Sequence, residues 1–244
     1  MSTPDDPTTA RTADAATAAR TAETAAPTTP LRLDIWSDFV CPWCYIGKRR
    51  LETALAELDE EIGEVDVVWH AFELDPTQEK GTGENVRAGL VRKKGMPAQQ
   101  VDQMVQQITV QAAGEGLHYD FDSAVSANTV DAHRLAAYAR TRRLDGALHE
   151  RLLRAHLIEG AVLDDPDTLA RLAAEVGIEE TDARAVLADP DAYLAEVRDD
   201  VATARSIGIG GVPFVVIDQR YGVSGAQPAD VFIRALRTAA ADRA

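Results

Sequence analysis

Strand-forming residues are confined to the two ends of this 244-residue chain, and the long stretch between them carries only helical periodicity. Near the start, Leu31, Leu33, Ile35 and Trp36 form an apolar run suited to a strand, bounded by Ser37 and Asp38. Ile46, Leu51, Ala54, Leu55 and Leu58 then recur at the spacing of an amphipathic helix, with Pro42 near its first turn and Gly63 as its stop. Val65, Val67, Val68, Trp69 and Phe72 read as a second strand closing at Asp75-Pro76. This βαβ unit alone would leave an apolar face bare. After Gly208 and Gly210-Gly211 the pattern returns as Val212-Pro213-Phe214-Val215-Val216-Ile217, a turn at Asp218 to Arg220, a shorter strand Tyr221 to Val223, and a last helix opened by Pro228. The two ends must share one sheet.

Between them, from about 76 to 205, start and stop signals for helices repeat. Asn128 and Asp145 are expected to cap helices, and Asp165-Pro166 and Asp189-Pro190 each place a capping acid before a proline at a first helical position. Gly177 supplies a stop after Leu169, Leu172 and Val176. The stretch Glu79 to Lys94, with three glycines among alternating charges, is expected to be a solvated segment, with a lid role as its one functional reading. The expected class is therefore α/β: one domain from 31–75 and 206–244, interrupted by an all-helical insertion at 76–205.

Residues 1–30 hold no Leu, Ile, Val or aromatic residue and read as a disordered tail, one without the apolar core of a secretory signal. A cytoplasmic protein is expected. The formal charge of −15 repels phosphate backbones and anionic lipid, so neither nucleic acid nor membrane is an expected partner.

The chain has two cysteines, Cys41 and Cys44, and chance places two cysteines three apart in about 1% of chains this long. Cys41 falls where a helix begins. There the macrodipole and free N–H groups favour a thiolate, which is expected to bring its pKa below the free value of about 8.5. Cys44, one turn further in, is placed to attack a mixed disulfide on Cys41 and release what is bound. Lys48, Arg49 and Arg50 add positive charge, read as solvated. A structural bridge would close a loop too short to stabilise much, and a zinc half-site would need His70 or His133 without a second Cys pair to support it. No metal and no cofactor beyond the dithiol is expected.

Cys41-Pro42-Trp43-Cys44-Tyr45-Ile46-Gly47-Lys48, the Asn128-Thr129 and Ala132-His133-Arg134 cluster, Gly211-Val212-Pro213-Phe214 and Ser224-Gly225-Ala226-Gln227-Pro228 together resemble the FrnE-type branch of the DsbA family, over about residues 31 to 240. The resemblance implies a thioredoxin-like fold with a helical insertion and a thiol-disulfide oxidoreductase. It implies Cys41 as nucleophile and Cys44 as resolving cysteine. Pro213 would be a cis-proline beside the dithiol, and the Val212 backbone would pair with an extended substrate. Pro42 and Trp43 are expected to contact that substrate, and His133 to line the pocket above the dithiol and donate to a thiolate. A second CxxC, found in some relatives, is absent, which excludes an internal relay between two dithiols. The expected partners are disulfide- or thiol-bearing proteins or small molecules, with a low-molecular-weight thiol as co-substrate. A redox-sensitive chaperone-like module, and a glutathione-assisted isomerase or transferase of small aromatic compounds, stand as the alternatives. His118, His149 and His156 read as surface or packing residues, and Trp36 and Trp69 as core.

Overall fold

The computed structural model describes residues 29–243, so all but the end of the expected tail lies outside the described residues. A mixed four-stranded sheet, in the order β2-β1-β3-β4, is formed by β1 (Leu31–Ser37), β2 (Val65–Ala71), β3 (Phe214–Ile217) and β4 (Tyr221–Ser224). β1 and β2 run parallel through α1 (Pro42–Ile62), while β3 lies antiparallel to β1, with Ile35 opposite Val215. The chain's two ends thus share one sheet. Asp218 and Gln219, at φ 50 and 57, turn β3 into β4.

Alternation along β1 assigns its two faces. Leu31, Leu33 and Ile35 pack with Leu51, Ala54 and Leu58 of α1 and with Phe232 and Leu236 of α9 (Ala229–Ala241), each fully buried leucine contributing roughly 1.5–3 kcal/mol. Trp36 points the other way, against Ala204 and Ile209. By the same alternation Ser37 falls on the α1 face, beneath the first turn of that helix.

Seven helices lie between β2 and β3: α2 (Val86–Lys94), α3 (Ala98–Gly114), α4 (Val130–Arg140), α5 (Asp145–Leu157), α6 (Pro166–Ala174), α7 (Glu180–Ala188) and α8 (Leu194–Ser206). They do not form a core of their own. Val105 and Ile108 of α3, Leu135 of α4 and Leu148, Leu152 and Leu153 of α5 share one apolar cluster with Phe39, Cys41, Cys44, Tyr45 and Ile46. The helices therefore roof the start of α1. α8 returns to the sheet, where the Asp200 carboxylate accepts from Ala71 N at 3.0 Å and the Asp200 carbonyl accepts from Trp36 Nε1 at 3.1 Å.

Several local expectations meet the structure. Asp165 caps α6 by accepting from Thr168 N, Gly63 ends α1 at φ 70, and Val86–Lys94, within the stretch expected to be solvated, is largely exposed while forming a helix capped by Asn85 through Arg87 N. Three differ. Asp145 is the first residue of α5 and not its cap, which falls at Leu144. Asn128 lies one residue before the cap of α4, which falls at Thr129, although its Oδ1 accepts from Val130 N at 3.0 Å. Asp189-Pro190 does not open a helix; Asp189 closes α7, and α8 starts at Leu194 after Tyr193 at φ 58.

Arg134 explains the last difference. Its buried guanidinium donates to the carbonyls of Val186 (2.6 Å), Ala192 (2.8 Å) and Asp189, and to Asp131 Oδ1 at 2.8 Å. The carbonyls at the end of α7 are thereby satisfied by a side chain from α4 and the segment is held as a turn. Replacing Arg134 with Met is expected to cost about 3–5 kcal/mol in urea denaturation, because the buried carbonyls lose their donor and Asp131 keeps Lys80 alone. A loss below about 1 kcal/mol would show that they find other partners.

Candidate active site

Cys41 is the N-cap residue of α1, in extended conformation at φ −87 and ψ 112, with Pro42 as first helical residue and no acidic residue in the first turn. Its sulfur thus lies at the positive end of a 21-residue helix. Both cysteines are free thiols and both are buried. Cys41 Sγ–H donates to the Val212 carbonyl at 3.6 Å, while Cys44 N donates to the Cys41 carbonyl at 3.0 Å, winding the first turn tightly. The Cys44 side chain lies in the apolar cluster that also holds Phe39, Cys41, Tyr45 and Ile46. Burial above all, and then the neighbouring Cys41, push the Cys44 thiol pKa well up.

Val212-Pro213 is a cis peptide bond, placed across from the dithiol. Its position depends on Gly47, where an added Cβ would lie 2.8 Å from Pro213 Cγ and 3.5 Å from Ala226 Cα. The Ser224-to-Pro228 motif braces the loop from behind. Gly225 N donates to the Pro213 carbonyl at 2.8 Å and Arg50 Nη1 to the Ala226 carbonyl at 2.7 Å. β3 consequently begins at Phe214, two residues later than the apolar run suggests.

Trp43, between the cysteines, is 37% exposed. It forms one end of a surface groove of about 500 Å³ whose other wall is α3, through Met104, Gln107, Ile108, Val110 and Gln111. The Pro42 carbonyl accepts from Tyr119 Oη at 2.7 Å, so the turn is tied to the insertion.

The basic residues that follow are not solvated. Lys48 pairs with Glu150 at 2.7 Å, Arg49 with Glu52 at 2.6 Å and with Glu150, and Arg50 with Glu115 at 2.6 Å. Carboxylates from the insertion thus neutralise them, leaving the helix terminus as the electrostatic feature nearest Cys41.

His133 is buried, but its Nε2 lies 3.1 Å from the Phe72 carbonyl and 3.3 Å from Asp38 Oδ1, with its ring tilted on Phe39. It fastens the loop before Cys41 to the end of β2 and does not donate to a thiol as expected. Asp38 competes successfully, since its buried carboxylate also takes Leu74 N at 2.8 Å and needs donors. His70 is likewise engaged, between Asp34 Oδ1 (2.8 Å) and Asp200 Oδ1 (2.6 Å). Among the described residues no group of three or more His, Cys, Asp or Glu side chains is arranged to hold a metal ion.

The site also contains two residues that the sequence did not single out. His149 is buried between Trp69 and Phe39, stacked on the indole at 3.9 Å, and its Nε2 lies 2.9 Å from Ser37 Oγ. Burial pushes its pKa well below the usual histidine range. The available signal was its place on the apolar face of α5, one turn before Leu152 and Leu153. His156 is buried too, and His118 is exposed.

A model of the DSBA-like thioredoxin domain matches residues 32–237, most of the chain. The chain belongs to the DsbA-like thioredoxin family. A crystal structure of a probable DsbA oxidoreductase from Streptomyces coelicolor has 42% identity and a TM-score of 0.83, covering 88% of this chain and 92% of that one. The uncharacterized protein YwbO of Bacillus subtilis is 25% identical over 217 residues, 84% of this chain and 96% of its own length. The cytosolic disulfide reductase DsbM from Pseudomonas aeruginosa, solved with GSH, shares the fold at a TM-score of 0.60 and 22% identity, with 85% and 98% of the two chains covered. In this DsbA-like protein no helix among the described residues is long and apolar enough to cross a membrane.

Two outcomes follow from this geometry. Gly47→Ala is expected to displace the rigid Pro213 ring and lower stability by about 1–3 kcal/mol, as overpacking does; an unchanged urea midpoint would mean the loop has slack. The second concerns pH. An exposed histidine titrates near 6.5, so below that pH the unfolded chain takes up protons that folded His149 and His156 exclude. Stability therefore falls as pH drops below 6.5. An exposed cysteine ionises at about 8.5, so above that pH the unfolded chain releases a proton that folded Cys44 retains, and stability falls again. Urea midpoints of the reduced protein are expected to decline on both sides, and His149→Gln to flatten the acid side; a flat profile there would contradict the burial.

Proposed function

We propose that the protein catalyses thiol-disulfide exchange through Cys41 and Cys44, as a member of the FrnE-type branch, acting on disulfide- or thiol-bearing proteins or small molecules. The observation that carries this reading is the Cys41 sulfur at the mouth of α1, 3.6 Å from the Val212 carbonyl, with Cys44 one turn below it. In the reducing direction the Cys41 thiolate attacks one sulfur of a substrate disulfide, and the other sulfur leaves with the electron pair as a thiolate that water protonates. Cys44 then loses its proton and attacks Cys41, forming the Cys41–Cys44 bond and expelling the second substrate thiol. Substrate is oxidised when the same steps run backwards from the disulfide form.

Val212 and Pro213 present backbone to an extended substrate, and Trp43 and Pro42 supply apolar contact at its flank. The groove of about 500 Å³ between Trp43 and α3 is lined by glutamines and apolar side chains instead of charge, which suits an unfolded client. His133 acts from outside this contact surface, by holding the loop before Cys41. The dithiol is the only redox group in this reading, with a low-molecular-weight thiol such as glutathione as the co-substrate that resets it. Cytosolic DsbM, a structural neighbour solved with GSH, supports both that co-substrate and a cytoplasmic location.

Insulin reduction tests the reading. Cys41→Ser is expected to lower turnover by at least about 100-fold, and Cys44→Ser to accumulate a covalent mixed disulfide visible by mass spectrometry. Unchanged turnover by Cys41→Ser would overturn it.

A further inference from the structure

Residues of the Glu79-to-Lys94 stretch supply one wall of a cavity of about 270 Å³, closed on its other sides by the loop after β2, the loop before α4 and the end of α5. Its walls are aliphatic, built from Val40, Leu74, Val86, Leu90 and Ala127, and no Phe, Tyr or Trp lines it. Gly89 lets α2 close on Ser126, whose Oγ would lie 2.9 Å from a Cβ at that position. The volume falls just below the roughly 300–1,000 Å³ usual for ligand clefts, so it suits one small molecule and excludes a nucleotide or a folded chain. Neither cysteine lines it.

Two enclosed polar side chains in this wall have no partner among the described residues. Thr129, 5% exposed, stands at the N-cap of α4, yet its hydroxyl makes no capping bond and takes no other hydrogen bond. His156, 1% exposed, has Nδ1 3.4 Å from the Ala161 carbonyl and leaves Nε2 unpaired. Burial holds its pKa below the usual histidine range, so the ring is neutral near neutral pH, and a proton on Nδ1 makes Nε2 an acceptor. A donor and an acceptor therefore line the same small space.

The charges at the cavity decide the other end of a ligand. Asp38 accepts from Leu74 N and faces His133, and Asp75 pairs with Lys93 at 2.5 Å. Lys94, exposed at the last turn of α2, lines the cavity with no counter-charge among the described residues. The unmatched charge is positive.

We propose that this cavity binds a small aliphatic carboxylic acid that carries a hydroxyl at its far end. The ligand hydroxyl donates to His156 Nε2 and accepts from the Thr129 hydroxyl, the hydrocarbon chain lies along Val40, Leu74, Val86 and Leu90, and the carboxylate meets Lys94. Each feature of the ligand answers a feature of the wall. A plain fatty acid would leave two enclosed polar groups dry, which is the costly case for burial. An aromatic acid would find no ring to stack on. A phosphate would meet a single free cation where such groups are usually held by several donors. Binding here makes and breaks no covalent bond and uses no cysteine, so the site is independent of thiol-disulfide exchange.

Isothermal titration calorimetry of the full chain with ω-hydroxyoctanoate, octanoate and octanediol tests the assignment without any redox step. The hydroxy acid is expected to bind with a Kd of about 1 mM or tighter, octanoate about tenfold more weakly for want of the hydroxyl, and the diol about threefold more weakly for want of the charge. Thr129→Val removes a hydroxyl that caps nothing, and is expected to weaken the hydroxy acid about fivefold while leaving octanoate within about twofold. Lys94→Gln is expected to weaken both acids about threefold and to leave the diol unchanged. Should Thr129→Val impair folding, Lys94→Gln on its exposed side chain and the ligand series on wild type still decide the matter. Failure of the hydroxy acid to bind below about 10 mM, octanoate or hydroxybenzoate binding wild type as tightly as the hydroxy acid, or affinities that neither substitution alters would overturn the proposal.

Discussion

The approach of α1 to the Val212-Pro213 loop is the contact on which the rest of the site depends. It is possible only because residue 47 lacks a side chain, since a methyl group there would lie 2.8 Å from the proline ring. That closeness brings the Val212 carbonyl within 3.6 Å of the Cys41 sulfur, although 171 positions separate them. The sheet sets the approach from below through the register of β1 against β3, with Trp36 opposite Phe214. The Ser224-to-Pro228 turn sets it from behind. A small displacement at any of these points moves the sulfur relative to the backbone beside which a substrate would lie.

The insertion contributes enclosure more than a separate unit. Its helices share their apolar core with Cys41, Cys44, Tyr45 and Ile46, and the ion pairs of Glu150 and Glu115 with Lys48, Arg49 and Arg50 stitch α1 to that roof. These pairs are partly buried, so they are worth more than surface pairs and less than their short distances suggest, because desolvation offsets the attraction. Their more definite effect is to cancel positive charge along α1. The field at Cys41 is left to the helix terminus.

What the sequence made legible is local. The strands announced themselves through β-branched runs cut by Gly and Pro, α1 through its spacing and Gly63, and the dithiol through two cysteines three apart at a helix start. What stayed hidden is polar and long-range. Asp189-Pro190 has every mark of a helix start, but Arg134, 55 positions away, takes the Asp189 carbonyl and fixes a turn. Lys48 to Arg50 read as solvated because the carboxylates that cover them sit on other helices. Ser37 and His149 are 112 positions apart, and neither belongs to a motif. Apolar burial leaves a period in the sequence; a hydrogen bond between two distant side chains leaves none.

Enclosing the dithiol has opposed effects that bear on how such a site can work. A roof of apolar side chains protects Cys44 from adventitious oxidants and holds it one turn from Cys41, but the same roof favours the neutral thiol. Opening the site to water would restore ionisation and forfeit the protection. Polar side chains in the same wall have to be satisfied at rest, since an unpartnered buried hydroxyl or imidazole would itself be destabilising. Ser37 and His149 meet the condition by pairing with each other, and the aromatic rings of Trp69 and Phe39 hold the imidazole where no water is needed. The same packing that shields the sulfur thus also sets how readily it ionises.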